Sequence, residues 1–239
     1  MNNPQFPTVY NLQSTEMQEE IQRSFILRVY AWMVIGLAIT AAAAFVTLTL
    51  PGLLEAILAT PLIFFGLLIG ELVLVVVLTA AINRFSPLTA SLIFGGYAVL
   101  NGVTLSLLML IYTGTSVALT FGITACTFGI MTLFGYTTPR DLTKLGSLLI
   151  MALLGLVLAS IANIFLNSSA LFWVVTYVGI LIFVGLIAYD TQKLKNMSLS
   201  LGSDGGVVQK ASIIGALRLY LDFINLFLML LRVLGRRRG

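Results

Sequence analysis

The chain has no histidine and one cysteine among its 239 residues, and these absences dispose of much chemistry. Zinc, haem and iron–sulfur sites built on Cys and His cannot be assembled, and no disulfide can close within the chain. Charge is scarce as well. Asp, Glu, Lys and Arg make up 9% of the residues, against about 25% in a soluble globular domain. With 59% hydrophobic residues and a mean hydropathy of +1.05, the chain reads as an integral membrane protein in contact with the lipid bilayer. The basic residues sit at the ends of apolar runs rather than together on one face, so nucleic acid is not an expected partner. Cys126, in the small-residue stretch TACTFG, reads as a buried small hydrophobe.

A helix needs about 20 apolar residues to cross a hydrocarbon core about 30 Å thick. Roughly 29–50, 61–82, 88–112, 118–136, 145–166 and 170–190 qualify, and a seventh, more polar run covers about 211–234. Breakers separate them: Pro51-Gly52, Ser86-Pro87, Thr113-Gly114-Thr115, Thr138-Pro139 and Asn167-Ser168-Ser169. The fold class expected is all-α and polytopic. A tail (1–28), a seven-helix membrane domain (29–234) and a basic end (235–239) divide the chain, with 191–210 as an extramembrane, Gly/Ser-rich segment. The first apolar run has basic residues before it and an alanine run within it. It nevertheless reads as a retained helix, because 28 mostly polar residues precede it.

Lys and Arg set the orientation. The N-terminal tail holds Arg23 and Arg28, the second connection Arg84, the fourth Arg140 and Lys144, and the sixth Lys193, Lys195 and Lys210; the odd-numbered connections hold none. The N-terminus is therefore expected in the cytoplasm. Arg232 and Arg236 to Arg238 break the alternation if the seventh segment crosses. Either it crosses against the rule, or it dips in and returns.

Two acids interrupt apolar runs: Glu71 in GELVLVVVL and Asp222 in LYLDFINLFLMLLR. A carboxylate inside the bilayer costs at least several kcal/mol unless protonated, paired or wetted. Glu71 follows Gly66 and Gly70, a GxxxG spacing that admits close helix approach. It reads either as a ligand in a cation or proton pathway or as an acid hydrogen-bonded across a tight helix contact. Asp222 shares a helix face with Arg218, four residues before, and Asn225, three after. An enclosed helix is expected, carrying either an internal Arg218–Asp222 ion pair or a gate. Asp190 ends the sixth run. Asn101, Thr104, Asn163 and Thr176 add polar groups at membrane depth, and Tyr30, Trp32, Tyr112, Tyr136 and Tyr189 read as interfacial anchors.

Three runs, VGLIAYDTQKLK, LYLDFINLFLMLLR and FGYTTPRDLTKLGSLL, resemble the Bax inhibitor-1 family, above all its bacterial inner-membrane members. The resemblance extends over everything after about residue 20. It implies seven helices with the last one central among the other six, and a proton-sensitive calcium leak. The gating pair it implies falls on Asp190 and Asp222, the two acids a passing calcium ion would meet. Nearby carboxylates cannot both ionise freely, so such a pair titrates as a unit. A latching arginine is also implied; Arg84 and Arg218 are the residues available, with Glu71 and Asn225 as further polar residues of a cation pathway.

Two functions follow. One is a pH-gated calcium or cation leak with no cofactor. The other is a membrane interaction protein that regulates a membrane protease or stress and cell-death machinery. An enzyme is not expected. No histidine is present for metal ligation or general base work, and the Gly-Asp context of intramembrane aspartyl proteases is missing at Ala-Tyr-Asp190 and Tyr-Leu-Asp222.

Overall fold

A computed structural model describes residues 7–202 and 204–238; residues 1–6, 203 and 239, which fall in the expected tail, the expected extramembrane segment and the basic end, lie outside it. The long helices are α1 (Pro7–Thr49), α3 (Pro61–Ala81), α4 (Pro87–Ser106), α6 (Gly114–Thr137), α7 (Thr143–Leu166), α8 (Ser169–Ser198) and α9 (Gly205–Leu234). Two short ones, α2 (Pro51–Ala59) and α5 (Leu108–Ile111), complete the set, with a single 3-10 turn at Ile82–Arg84. Seven helices are long and apolar enough to cross a membrane, and no strand forms among the described residues. The protein is an all-α polytopic membrane protein, as its composition required.

The breaker residues act where local chemistry places them. Pro61 and Pro87 open helices, where a missing N–H is no loss. Ser86 accepts from the Thr89 N–H (3.1 Å), Ser168 from the Leu171 N–H (3.3 Å) and Asp204 from the Gly206 N–H (2.8 Å), each a side-chain N-cap. Asn167 ends α7 in the left-handed region at φ 47°, and the side chain of Asn163 accepts from the Ser168 N–H (3.0 Å). Asn163 thus spends its amide oxygen on a turn.

Two expected boundaries move. α1 continues through the supposed tail, because MQEEIQR is rich in good helix formers. Hydropathy marks where a helix meets lipid, and it is blind to a polar first half. The segment 191–210 is likewise mostly helical. α8 runs on to Ser198, with Thr191, Leu194 and Ser198 buried, and α9 begins at Gly205.

α9 is the centre. Of its apolar window 67% is buried, against at most 39% in any other spanning helix. It is a single unbroken helix, so the dip-and-return alternative falls. At its far end the chain folds back. The Thr113 N–H donates to the Arg236 carbonyl and the Arg238 N–H to the Ile111 carbonyl, both at 2.9 Å. Arg232 and Arg236 to Arg238 therefore lie at the opposite end of the bundle from Lys193, Lys195 and Lys210.

The enclosure is incomplete. α1, α4, α6 and α8 pack on α9, whereas α3 packs along α4 and α7 along α8 without covering it. Ala211, Ile214, Arg218, Leu221, Asn225, Leu228 and Arg232, spaced alternately by three and four, form a half-buried stripe on the uncovered side. Four helices enclose α9, not the six that the resemblance implies.

Register explains how Asp190 and Asp222 meet despite unequal distances from their helix ends. Leu194 of α8 packs over Gly215 of α9, and Met229 of α9 over Gly179. The helices are antiparallel, with Ser198 level with about Ala211. The first turns of α9 thus project about 9 Å beyond α8 at 1.5 Å per residue. α6 approaches α8 as closely: a Cβ on Gly135 would collide with the Ala188 carbonyl, a backbone atom with no rotamer to yield. Gly135→Ala should lower stability by about 1–3 kcal/mol, whereas Gly122→Ala, with nothing within 4 Å of its Cβ, should be neutral or stabilising. Thermal unfolding in detergent checks this; equal Tm values would refute the close packing of α6 on α8.

Candidate functional site

α8 and α9 each deliver one acid to their shared seam. Asp190 and Asp222 are both buried (6% and 5% exposed), so neither charge is met by bulk water. Their side chains are within hydrogen-bonding reach of each other. Oδ2 of Asp222 is buried without a hydrogen-bond partner among the described residues, and two carboxyl groups can bond to each other only through a proton. Arg218 Nη1 donates to Asp190 Oδ1 at 3.5 Å, a single long contact that leaves the other guanidinium donors without a partner among the described residues.

This pairing corrects one reading of the sequence. Arg218 was an i,i+4 neighbour for Asp222, yet it bridges to α8. Four residues at 3.6 per turn leave about 40° between the two side chains. Asp222 falls on the packed face and Arg218 on the half-buried stripe, its side chain 40% exposed. Arg84 is corrected too. It lies exposed in the turn after α3, a helix that packs along α4 rather than α8 or α9, and it does not reach the pair.

The pair opens into a cavity of about 650 Å³ between α7, α8 and α9, which also receives Lys193 and Asn225. Asn225 donates to its own helix at Leu221 O (2.8 Å) and presents its oxygen there without a protein donor among the described residues. Gln192 fixes the depth of the site. Its Nε2 donates to the Arg140 carbonyl (2.7 Å), and its Oε1 accepts from the Leu142 N–H (2.8 Å). The α6–α7 connection is thereby pinned level with Gln192, so Asp190 sits about 3 Å below it along α8. Asp190 is near one membrane surface, and Asp222 a little deeper. Nothing in the composition around Gln192 announced this role; only its burial does.

Glu71 belongs elsewhere. It accepts from Thr104 Oγ1 (2.6 Å) and Asn101 Nδ2 (3.4 Å). Tyr220 donates to Asn101 Oδ1 (3.1 Å) and shares a 2.7 Å hydrogen bond with Thr40, whose hydroxyl also reaches the Ala98 carbonyl at 2.9 Å. The chain of bonds joins α3, α4, α9 and α1 and does not enter the cavity of the aspartate pair. Its glycines do not bring helices together: no atom approaches a Cβ at Gly66, and only Leu100 approaches one at Gly70. Tyr220 and Thr40 were not singled out in the sequence, since a Tyr and a Thr in apolar runs look ordinary.

Smaller corrections follow from the lipid setting. Cys126 is exposed on α6, because apolar side chains here face lipid as readily as the interior. Tyr112 is buried beneath the C-terminal turn-back, and the Tyr30 hydroxyl is buried, so neither is a simple interfacial anchor.

A bundle of seven spanning helices built on a central, polar-striped helix with a carboxyl pair at its seam defines a class of polytopic membrane protein. Residues 22–239 match the family described as "Inhibitor of apoptosis-promoting Bax1". The chain belongs to this family, the Bax inhibitor-1 family. It is 48% identical over 217 residues to inner membrane protein YbhL of Escherichia coli strain K12, covering 90% of this chain and 93% of that protein. It is also 42% identical over 227 residues to an uncharacterized protein of Borreliella burgdorferi (94% and 98%) and 43% identical over 211 residues to one of Deinococcus radiodurans (88% and 90%).

The Tyr220 hydroxyl is the junction of the second network, while its ring packs edge-on against Phe94 and Tyr97. Tyr220→Phe keeps the ring and strips Asn101 and Thr40 of a partner. A loss of about 1–3 kcal/mol is expected, read as a lowered Tm in detergent. An unchanged Tm would mean that the network contributes nothing to holding α9.

Proposed function

We propose that the chain is a proton-controlled calcium leak of a bacterial inner membrane, gated by the Asp190–Asp222 pair, with Arg218 as the counter-charge that holds the closed state. The observation that carries this reading is the contact between two buried carboxyl groups on adjacent helices, beside one arginine and opening into a cavity. With one proton the pair bears a single negative charge, which Arg218 balances. Removing that proton sets two like charges in contact across the α8–α9 seam. Adding a second cancels the attraction that keeps Arg218 on Asp190. Flux is therefore lowest where the pair holds one proton.

Calcium is cargo here and not a resident ion. It takes six to eight oxygens, and the described residues bring no three acids, histidines or cysteines together. Two carboxylates and the Asn225 oxygen can replace part of a hydration shell, which suits passage. The name of the YbhL relative supports an inner-membrane location, and the eight basic residues of the tail and even-numbered connections support a cytoplasmic N-terminus. The protein acts without an enzymatic step.

Calcium flux from proteoliposomes containing only this chain tests the reading across a pH series. Asp190→Asn and Asp222→Asn should flatten the pH profile while keeping the fold. Arg218→Gln should raise the leak at fixed pH without loss of Tm. No flux from the wild-type chain would leave an interaction protein as the better account, and a wild-type pH profile in both Asn variants would remove the pair from the gate.

A further inference from the structure

The cavity beside the aspartate pair is open on one side. α7 runs along α8 and does not pack on α9, so the space between α7 and α9 faces the bilayer over a floor of Phe183, Leu186 and Asp190. Its α7 wall is aliphatic apart from Ser160, whose hydroxyl donates to its own helix at the Leu156 carbonyl, and Ile150, Val157, Ile161 and Ile164 are all exposed along it. From Ile150 to Ile164 this wall extends about 21 Å, longer than one leaflet's half of a hydrocarbon core about 30 Å thick.

At its shallow end the groove is basic. Arg218, 40% exposed and tied to Asp190 by one long contact, lies level with about Thr191, and the exposed Lys193 lines the same space. Gln192 holds the α6–α7 connection at this height, which places both cations in the headgroup layer. With one proton on the aspartate pair, the two cations leave the pocket a net positive charge.

We propose that this groove is a binding site for an anionic phospholipid, its phosphate held by Arg218 and Lys193 and one acyl chain lying along α7. The remaining guanidinium donors match phosphate oxygens, and an aliphatic wall running towards the bilayer centre from a cationic mouth suits a lipid's two ends. A free phosphate would leave the wall uncovered, and a zwitterionic headgroup would bring its own cation to the mouth. Where the leak reading of the pair holds, a phosphate on Arg218 competes with Asp190 for the same guanidinium, so the lipid also sets the strength of the latch.

Binding is measured on the intact chain in detergent, by native mass spectrometry and by the rise in Tm, with phosphatidylglycerol, with phosphatidylcholine of the same chains, and with inorganic phosphate. Phosphatidylglycerol should bind at least about fivefold more tightly than phosphatidylcholine, the effect of about one lysine at a membrane surface, and inorganic phosphate should not raise Tm. Lys193→Gln should remove that preference, and Val157→Trp, which fills the wall and leaves both cations in place, should weaken both lipids. Equal binding of the two lipids, stabilisation by phosphate alone, or wild-type binding in both variants overturns the site. Because the readout is binding, the result stands whether or not the chain conducts calcium.

Discussion

Everything in this bundle depends on one constraint: hydrocarbon offers no partner to a polar group, so each one at depth must be met by protein or held in a wetted space. α9 carries the heaviest load. Its sequence alternates buried apolar residues with Tyr220, Asp222, Arg218 and Asn225, a set that could not face lipid. The four packed helices answer part of that demand. α1 and α4 provide Thr40 and Asn101 for Tyr220, and α8 provides Asp190 for Asp222 and Arg218. The remainder, Asn225 and the outer side of Arg218, is left to the cavity.

How much of this was legible depended on whether the signal was local. Span count, the breakers and the centrality of the last segment were readable, because apolar runs, prolines and a polar stripe on a membrane helix are properties of short windows. The pair Asp190–Asp222 was readable only through resemblance, since nothing in either window says that the two meet. Of the two readings of Arg218, the internal ion pair with Asp222 failed for the same reason. An i,i+4 spacing is visible in a window, whereas a neighbour on α8 is set by the packing of Leu194 over Gly215 and Met229 over Gly179. The helical first half of α1 and the buried end of α8 were missed because hydropathy reports solvent and not secondary structure. The GxxxG at Gly66 and Gly70 was overread: small residues permit close approach, and here no helix takes up the offer.

The two polar systems share one helix at different angles. Tyr220 and Asp222 are two residues apart, about 200° round α9, so they face opposite sides of it. Tyr220 is tied through Asn101 to Glu71 on α3, and Asp222 through Asp190 to Arg218. A rigid rotation or slide of α9 that separated the carboxyl pair would also stretch the Tyr220 bonds to Thr40 and Asn101. Those bonds, at 2.7 and 3.1 Å, join neutral groups, so titration of the aspartate pair does not alter their charge.

This asymmetry bears on where the bundle can yield. On the α1–α4 side the bundle is close-packed: α1 and α4 interlock, since a Cβ on Gly36 would overlap Phe94 and one on Gly102 would strike the Thr40 carbonyl, and the Tyr220 ring of α9 also lies against Gly36. On the opposite side α9 faces a groove with no helix across it, bounded by α7 and α8. α7 is held mainly by α8 and by the Gln192 clasp on its leading connection, with only 6% of its apolar window buried. α8 itself is closely packed on α9, with Leu194 over Gly215 and Met229 over Gly179, so the element least held around the aspartate cavity is α7. α9 is thus braced by the Tyr220 partners on one face and by the close packing of α8 on the other, and only its α7 flank is open.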